Sequence, residues 1–363
     1  MAAKTVKQLH QLIASQEFDV SATKDKAEKM GLNSMNIDTA HHIMDMMKHK
    51  CFSKDVAALM EIVHFEIDCR QLVPAIYKAI NATTKTQKKS TKKVLVDMLD
   101  DIECEYSDGK MTKNDDGSYE HTEETMGSRL VDLMDEEKII FMNIALENYF
   151  VDLDEKEKYS SHGVCAFLIP YGEEYKLFYV NSHGNDMLTT ESYEIYVTSR
   201  RRKMMNFEDP IDIEIMKAFT QWMGEEWERP IVFKNEDKQV YYGVNLQIGD
   251  SDGTCYIFPW IIYYYLGRFY DQKRRVKVGK KSTTIPAIAT LLMKGELGKA
   301  IHYMFIDYCP AFKKMLLTQK PKSKSLKDEE KFTYAMEEII ELNGDSFVHG
   351  LVYTVVIFIE QAM

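Results

Sequence analysis

Four residues in the middle of the chain have the types and the order that nucleophilic catalysis by sulfur needs: His162, Asn181, Gln247 and Cys255. Cys255 follows Gly253-Thr254 and opens an apolar run, Tyr256 to Leu266, whose Pro259 is tolerated only near the first turn of a helix. The spacing therefore predicts the sulfur at a helix N-terminus, where the macrodipole favours the thiolate. His162 is the candidate base for the thiol proton. Asn181 can orient the imidazole by accepting from its other ring nitrogen, which sets the tautomer without adding a charge. Gln247 can donate its amide to a developing oxyanion, with the Cys255 backbone N–H as second donor. His183 is the rival base, but it shares a strand end with the orienter instead of facing it. Cys165 is the rival nucleophile, but it sits inside an alternating strand and reads as core.

These residues need elements to hold them. Ser160 to Pro170 is a polar turn feeding an apolar run, and Tyr175 to Gly184 is a second run, so two adjacent antiparallel strands at 163 to 170 and 174 to 180 are expected across the turn Tyr171-Gly172-Glu173-Glu174. A helical pattern follows at 210 to 226, then strand-like Pro230 to Phe233 and Val240 to Gln247. Trp222 and Trp227, at the end of that helix, read as core packing. The order is thus a histidine at a strand start, a carboxamide closing the next strand, a helix, a strand ending in glutamine, a glycine turn, and cysteine opening an apolar helix.

That order resembles the cysteine proteases that include the SUMO-deconjugating proteases, the adenovirus protease and the virion-maturation proteases of poxviruses and African swine fever virus. The matching pieces are His162-Gly163-Val164-Cys165, Phe178-Tyr179-Val180-Asn181-Ser182, Gln247, and Asp252-Gly253-Thr254-Cys255. Gly163 stands where that family commonly has Trp, which removes a packing partner from the base. Asn181 stands in place of the usual Asp, as in the swine fever virus type. Tyr256 follows the cysteine where Gly is usual, and Gln247 lies farther from it than usual. The resemblance implies an α+β fold: a small mixed-sheet papain-like cysteine protease core at 126–283, a helical N-terminal region at 1–125 and a helical C-terminal region at 284–363. It also implies a thiol endopeptidase that processes viral or ubiquitin-like precursors beside small residues such as Gly, acting in a virion or in host cytoplasm on protein substrates and among virion proteins. The reading from another class is a non-catalytic virion, minor capsid or scaffold protein that keeps the protease fold.

Composition sets the bounds around this site. The 363 residues carry a formal charge of -11, which argues against nonspecific nucleic-acid binding by the surface at large. Two basic clusters, Arg200-Arg201-Arg202-Lys203 and Lys273-Arg274-Arg275 with Lys277 and Lys280-Lys281, keep local docking to nucleic acid or an acidic partner open. The six cysteines form no CxxC pair and no regular spacing, so neither a zinc site nor a disulfide framework is expected, and no cofactor is. His41-His42 with His49 are expected to be surface histidines and not a metal site. No run reaches the roughly 18 to 20 apolar residues of a bilayer span, and Met1 to His10 has no apolar signal core.

The flanks read as helical. Residues 1 to 104 are expected to be helix throughout, with Asp38 and Ser53 as N-caps, the latter for Asp55 to Ile67. Glu105 to Glu124 is expected to be a loop or disordered insert, in which Thr112, Asn114, Asp116, Gly117 and Glu123 fall only loosely on calcium-loop positions. Helical periodicity returns from Met126 to Phe150. Helices are also expected at Ile285 to Met304, Asp328 to Leu342 and Ser346 to Met363, with a basic linker at Gln319 to Ser325.

Overall fold

The computed structural model describes residues 44–45, 47–49, 51–90, 93, 111–113, 119–121, 126–152, 158–184, 193–197, 201–205, 208–226, 230–247, 254–276, 292 and 294–301. Outside these lie His41-His42, most of the calcium-like positions, Trp227, Gly249 to Gly253, the lysines from 277 to 281 and the expected helices and linker beyond 301. Helix α1 (Lys54–Leu59) runs directly into strand β1 (Met60–Asp68), which is followed by α2 (Cys69–Ile80), the short strands β2 (Met111–Lys113) and β3 (Tyr119–His121), α3 (Met126–Asp135) and β4 (Ile139–Asp152). Then come β5 (Lys158–Tyr171), β6 (Glu174–Val180), β7 (Tyr193–Val197), β8 (Arg201–Met205), α4 (Ile211–Glu226), β9 (Ile231–Val232), a single turn α5 (Glu236–Gln239), and α6 (Ile257–Val276), entered through a 3-10 turn at Thr254–Tyr256.

The architecture is mixed α/β. Two compact units divide the chain: the first is Met1–Ala57 with Val180–Asp186 and Asn235–Met363, the second Ala58–Tyr179 with Met187–Lys234. The second unit is built on a five-stranded mixed sheet of order β1-β4-β5-β6-β9. β1 pairs parallel with β4, and β4 antiparallel with β5. β5 and β6 are neighbours joined by a two-residue turn in which Gly172 takes φ +67°, a left-handed value glycine adopts without a Cβ penalty. So tight a connection permits only antiparallel pairing. β9 closes the sheet in parallel with β6, and the Tyr175 N–H donates to Pro230 O at 3.0 Å.

Side chains alternate across this sheet, so neighbouring residues of a strand serve opposite faces. Phe141, Phe167 and Phe178 form a stacked row over β4, β5 and β6, at centroid separations of 6.2 and 5.2 Å. Offset aromatic pairs of this kind contribute about 0.5–1.5 kcal/mol each beyond their buried area. Phe65 of β1 stacks on Phe219 of α4, and the Tyr179 hydroxyl donates to Asp212 Oδ2 in the first turn of α4 at 2.6 Å, so α4 covers the face that carries odd-numbered β1 and β6 residues.

Four expectations need correction. Asp55 to Ile67 is not one helix: α1 stops at Leu59 and Met60–Asp68 is a strand. Val63, Phe65 and Ile67 alternate onto the buried face and pair through the register with Met142, Ile144 and Leu146. That long-range pairing, invisible locally, outweighs a modest helix pattern. Met126 to Phe150 likewise splits into α3 and β4. The helix ends in a Schellman motif, Lys138 N–H to Leu133 O and Glu137 N–H to Met134 O, both 3.0 Å, with Glu137 at φ 55° where glycine usually stands. A glutamate there gives no stop signal in the sequence. Met111–Lys113 and Tyr119–His121, within the expected loop, form an antiparallel pair. Val240 to Gln247 makes a single bridge at Val240 and then runs without strand structure.

In the first unit, Phe52 packs on Tyr263 of α6 at 5.4 Å, and a Cβ at Gly267 would lie 2.1 Å from the Phe52 ring. The Ser53 N–H donates to both Asp271 carboxylate oxygens, at 3.2 and 3.1 Å, while Ser53 Oγ accepts from the Val56 N–H at 3.4 Å. The chain before α1 is thereby fixed to α6 by a ring seated on glycine and a buried carboxylate.

Candidate active site

The residues singled out by chemistry are divided between the two units. His162 lies in the second, while Asn181, Gln247 and Cys255 belong to the first. His162 sits on β5 opposite Leu146 of β4 and is 1% exposed. Immediately beyond this pair the ladder is irregular: it resumes at Phe150 and Ser160, so Glu147, Asn148 and Tyr149 stand against Ser161 alone. Asn148 takes φ 57°, which asparagine tolerates better than most residues, and its Nδ2 donates to Asp68 Oδ1 at 3.0 Å. The Ser161 hydroxyl donates to the Glu147 carboxylate. This bulge turns the Tyr149 ring onto the His162 imidazole, at 5.4 Å between centroids and 20° between planes. Gly163 does leave the base without a ring from its own strand, and Tyr149 of the neighbouring strand supplies one.

Asn181 follows the last residue of β6 and is 1% exposed. Its Oδ1 accepts from the His183 N–H at 3.0 Å, and its backbone oxygen accepts from the Gly184 N–H at 3.0 Å, which closes a tight turn. Gly184 is left-handed at φ +55° and lies so near the chain at 243–244 that a Cβ there would be 2.4 Å from two carbonyl oxygens. The same turn reaches Gln247. Ser182 O accepts from the Leu246 N–H at 2.8 Å, and the Ser182 hydroxyl donates to Gln247 Oε1. The Gln247 N–H donates to Asn245 Oδ1 at 3.0 Å. The carboxamide is therefore held from its oxygen end, which fixes its Nε2 as the donor end. The strand end that carries Asn181 and the segment that carries Gln247 are brought together. Sequence order alone gave no sign that Ser182 would be the bridge.

Cys255 lies in the 3-10 turn that leads into the twenty-residue helix α6, and it is 4% exposed. Pro259 falls in the first turn of α6, where an N–H has no intrahelical acceptor to lose.

The other described cysteines have different surroundings. Burial pushes the Cys165 thiol far above its usual range, as expected of a core residue. Burial does the same to Cys69, reinforced by the carboxylates of Asp68, Asp212 and Glu147, even though Cys69 opens α2. A helix N-terminus alone therefore does not make a thiolate here. Cys165 also ends a row that sequence reading missed, because residues 60 to 68 were expected to be helical. The register sets His64 of β1, Asn143 of β4 and Cys165 of β5 side by side, with Asn143 Nδ2 3.1 Å from His64 Nδ1. The three types match a triad, but asparagine stands between the other two and the thiol is held protonated, so the row is a buried polar seam.

Among the described residues no group of three or more His, Cys, Asp or Glu is placed to hold a metal ion. No helix among them is long and apolar enough to cross a membrane. Arg201, Arg202 and Lys203 lie on β8, paired with β7, and Lys273-Arg274-Arg275 fall in the last residues of α6. Comparison with known proteins finds no family model, curated protein or solved structure that matches the chain.

Proposed function

We propose that this chain is a thiol endopeptidase with a papain-like core, processing viral or ubiquitin-like precursors, with Cys255 as nucleophile, His162 as base, Asn181 as orienter and Gln247 as oxyanion donor. The Cys255 thiolate attacks the scissile carbonyl, and the resulting oxyanion accepts from Gln247 Nε2 and the Cys255 N–H. The imidazolium of His162 gives its proton to the leaving amine. Water, deprotonated by the same imidazole, then hydrolyses the thioester and frees the thiol. The observation that supports this reading is the Ser182 bridge, which holds the Gln247 carboxamide by its oxygen and ties it to the turn after Asn181, in the unit where Cys255 leads into α6. The reading includes a place in a virion or host cytoplasm and contact with virion proteins, with Arg201-Arg202-Lys203 and Lys273-Arg274-Arg275 as docking points for nucleic acid.

One observation favours the second reading, a non-catalytic virion or scaffold protein: Cys255 is buried. Alkylation separates the two. A paired thiolate has a pKa well below the free value of about 8.5, so Cys255 should react with iodoacetamide near pH 6.5 much faster than the half-exposed Cys51. Cys255→Ala should remove that label with the fold intact. Gln247→Ala should spare alkylation yet lower turnover on the order of 100-fold. If Cys255 labels no faster than Cys51, the scaffold reading prevails.

A further inference from the structure

We propose that Tyr149 is the positioning residue of His162, fixing the plane of the imidazole and supporting its protonated form; this inference rests on the protease reading above. Three observations meet at this point. The rings are stacked at 5.4 Å and 20°, within the range of an offset aromatic pair and close enough for a cation over a ring face. Both residues are 1% exposed, so water contributes little to holding the imidazolium, and the stacked aromatic face is an electron-rich surface in contact with it. The stack also exists only because the β4 ladder breaks beside His162. Asn148 in the left-handed region, the hydrogen bond its Nδ2 donates to Asp68 and the one Ser161 donates to Glu147 together hold the irregular segment that presents Tyr149. A regular ladder would place the side chain at 149 elsewhere, so the distortion has a definite product.

The titratable groups around this part of the sheet include Asp68 at the end of β1, Cys69 of α2, Tyr149 and Glu147 of β4, Cys165 of β5, Tyr179 of β6 and Asp212 of α4, with Tyr179 donating to Asp212 at 2.6 Å. Burial holds the Tyr179 hydroxyl protonated, and the Asp212 carboxylate beside it acts the same way. The contribution proposed for Tyr149 comes from the ring face that stacks on the imidazole and not from the hydroxyl. That distinction makes the inference testable, because phenylalanine keeps the face and leucine does not.

The experiment uses the full chain as wild type, Tyr149→Phe and Tyr149→Leu. In the wild type, the His162 ring protons should be shifted upfield by the tyrosine ring current relative to the urea-unfolded chain. This reading needs no variant, so it stands even if the leucine chain fails to fold. The pH profile of Cys255 alkylation is then measured. Tyr149→Phe should reproduce the wild-type profile, whereas Tyr149→Leu should move its midpoint toward the free thiol value and slow labelling near neutrality by roughly tenfold, the equivalent of one desolvated cation–ring contact. An unshifted His162 resonance in the wild type, or a Tyr149→Leu profile that overlays the wild type, overturns the inference while leaving the nucleophile assignment intact. A wild-type Cys255 that labels no faster than Cys51 overturns the protease reading and this inference together.

Discussion

A methyl group at position 184 would sit 2.4 Å from the carbonyl oxygens of Gly243 and Val244 on a backbone already at φ +55°. Gly184→Ala should therefore cost about 2–4 kcal/mol, the sum of left-handed strain and a contact that backbone cannot relieve, and urea unfolding would measure it. A loss under about 0.5 kcal/mol would mean the turn after Asn181 is placed otherwise. Asp68 offers a test of charge. Burial pushes its carboxyl up, but the Arg70 side chain and N–H and the Asn148 amide outweigh burial and hold it below the ordinary carboxylate range. A depressed folded-state pKa gives stability that is present above the unfolded value of about 3.9 and lost as pH falls through the folded one. Asn retains capping ability, so Asp68→Asn isolates the charge. The gap in urea midpoint between wild type and variant should narrow as pH falls from about 6 to about 3; a gap that widens would contradict the ion pair at 2.9 Å.

Helix ends decided which elements could be read from sequence. The helix at 211–226 and the hairpin of β5 and β6 were legible because Pro210 starts the one and Gly172 turns the other, both with conformations their chemistry prefers. The change from α3 to β4 was not, because Glu137 occupies the left-handed position of the Schellman motif. Glu137→Gly should accordingly stabilise the protein, by about 0.5–1 kcal/mol, since it removes a Cβ from that conformation. Thermal and urea midpoints should both rise. A fall would show that the glutamate side chain contributes more than its backbone strain costs. The α1 to β1 junction carries no glycine or proline at all, so only the pairing partner on β4 distinguishes Met60–Asp68 from a continued helix.

Pairing also limits how the chain can be cut. A fragment of residues 126–283, the protease core expected from sequence, would lack β1 and leave β4 an open edge rich in Ile139, Ile140, Phe141, Met142 and Ile144. Such an edge invites association with other chains. The fragment should bind a hydrophobic dye and give a poorly dispersed amide spectrum where the full chain does not; cooperative unfolding of the fragment would disprove the need for β1. The same reasoning explains what was readable of the candidate site. Residue types and order named His162, Asn181, Gln247 and Cys255, since chemistry restricts which side chains serve. Tyr149, Ser182 and the polar seam of His64 and Asn143 were hidden, because each is defined by a neighbour many residues away.

The Ser53 N–H meets the Asp271 carboxylate across 218 residues of sequence. During synthesis at about 5–20 residues per second, the segment that begins α1 waits on the order of ten to forty seconds for its partner. Strands β1 to β9 all emerge within that interval, since β9 ends at Val232. The sheet can therefore be complete before the α6 carboxylate exists. For that interval Phe52 has no glycine notch to fill, and a chaperone that grips exposed aromatics would find this end of the nascent chain and not the sheet.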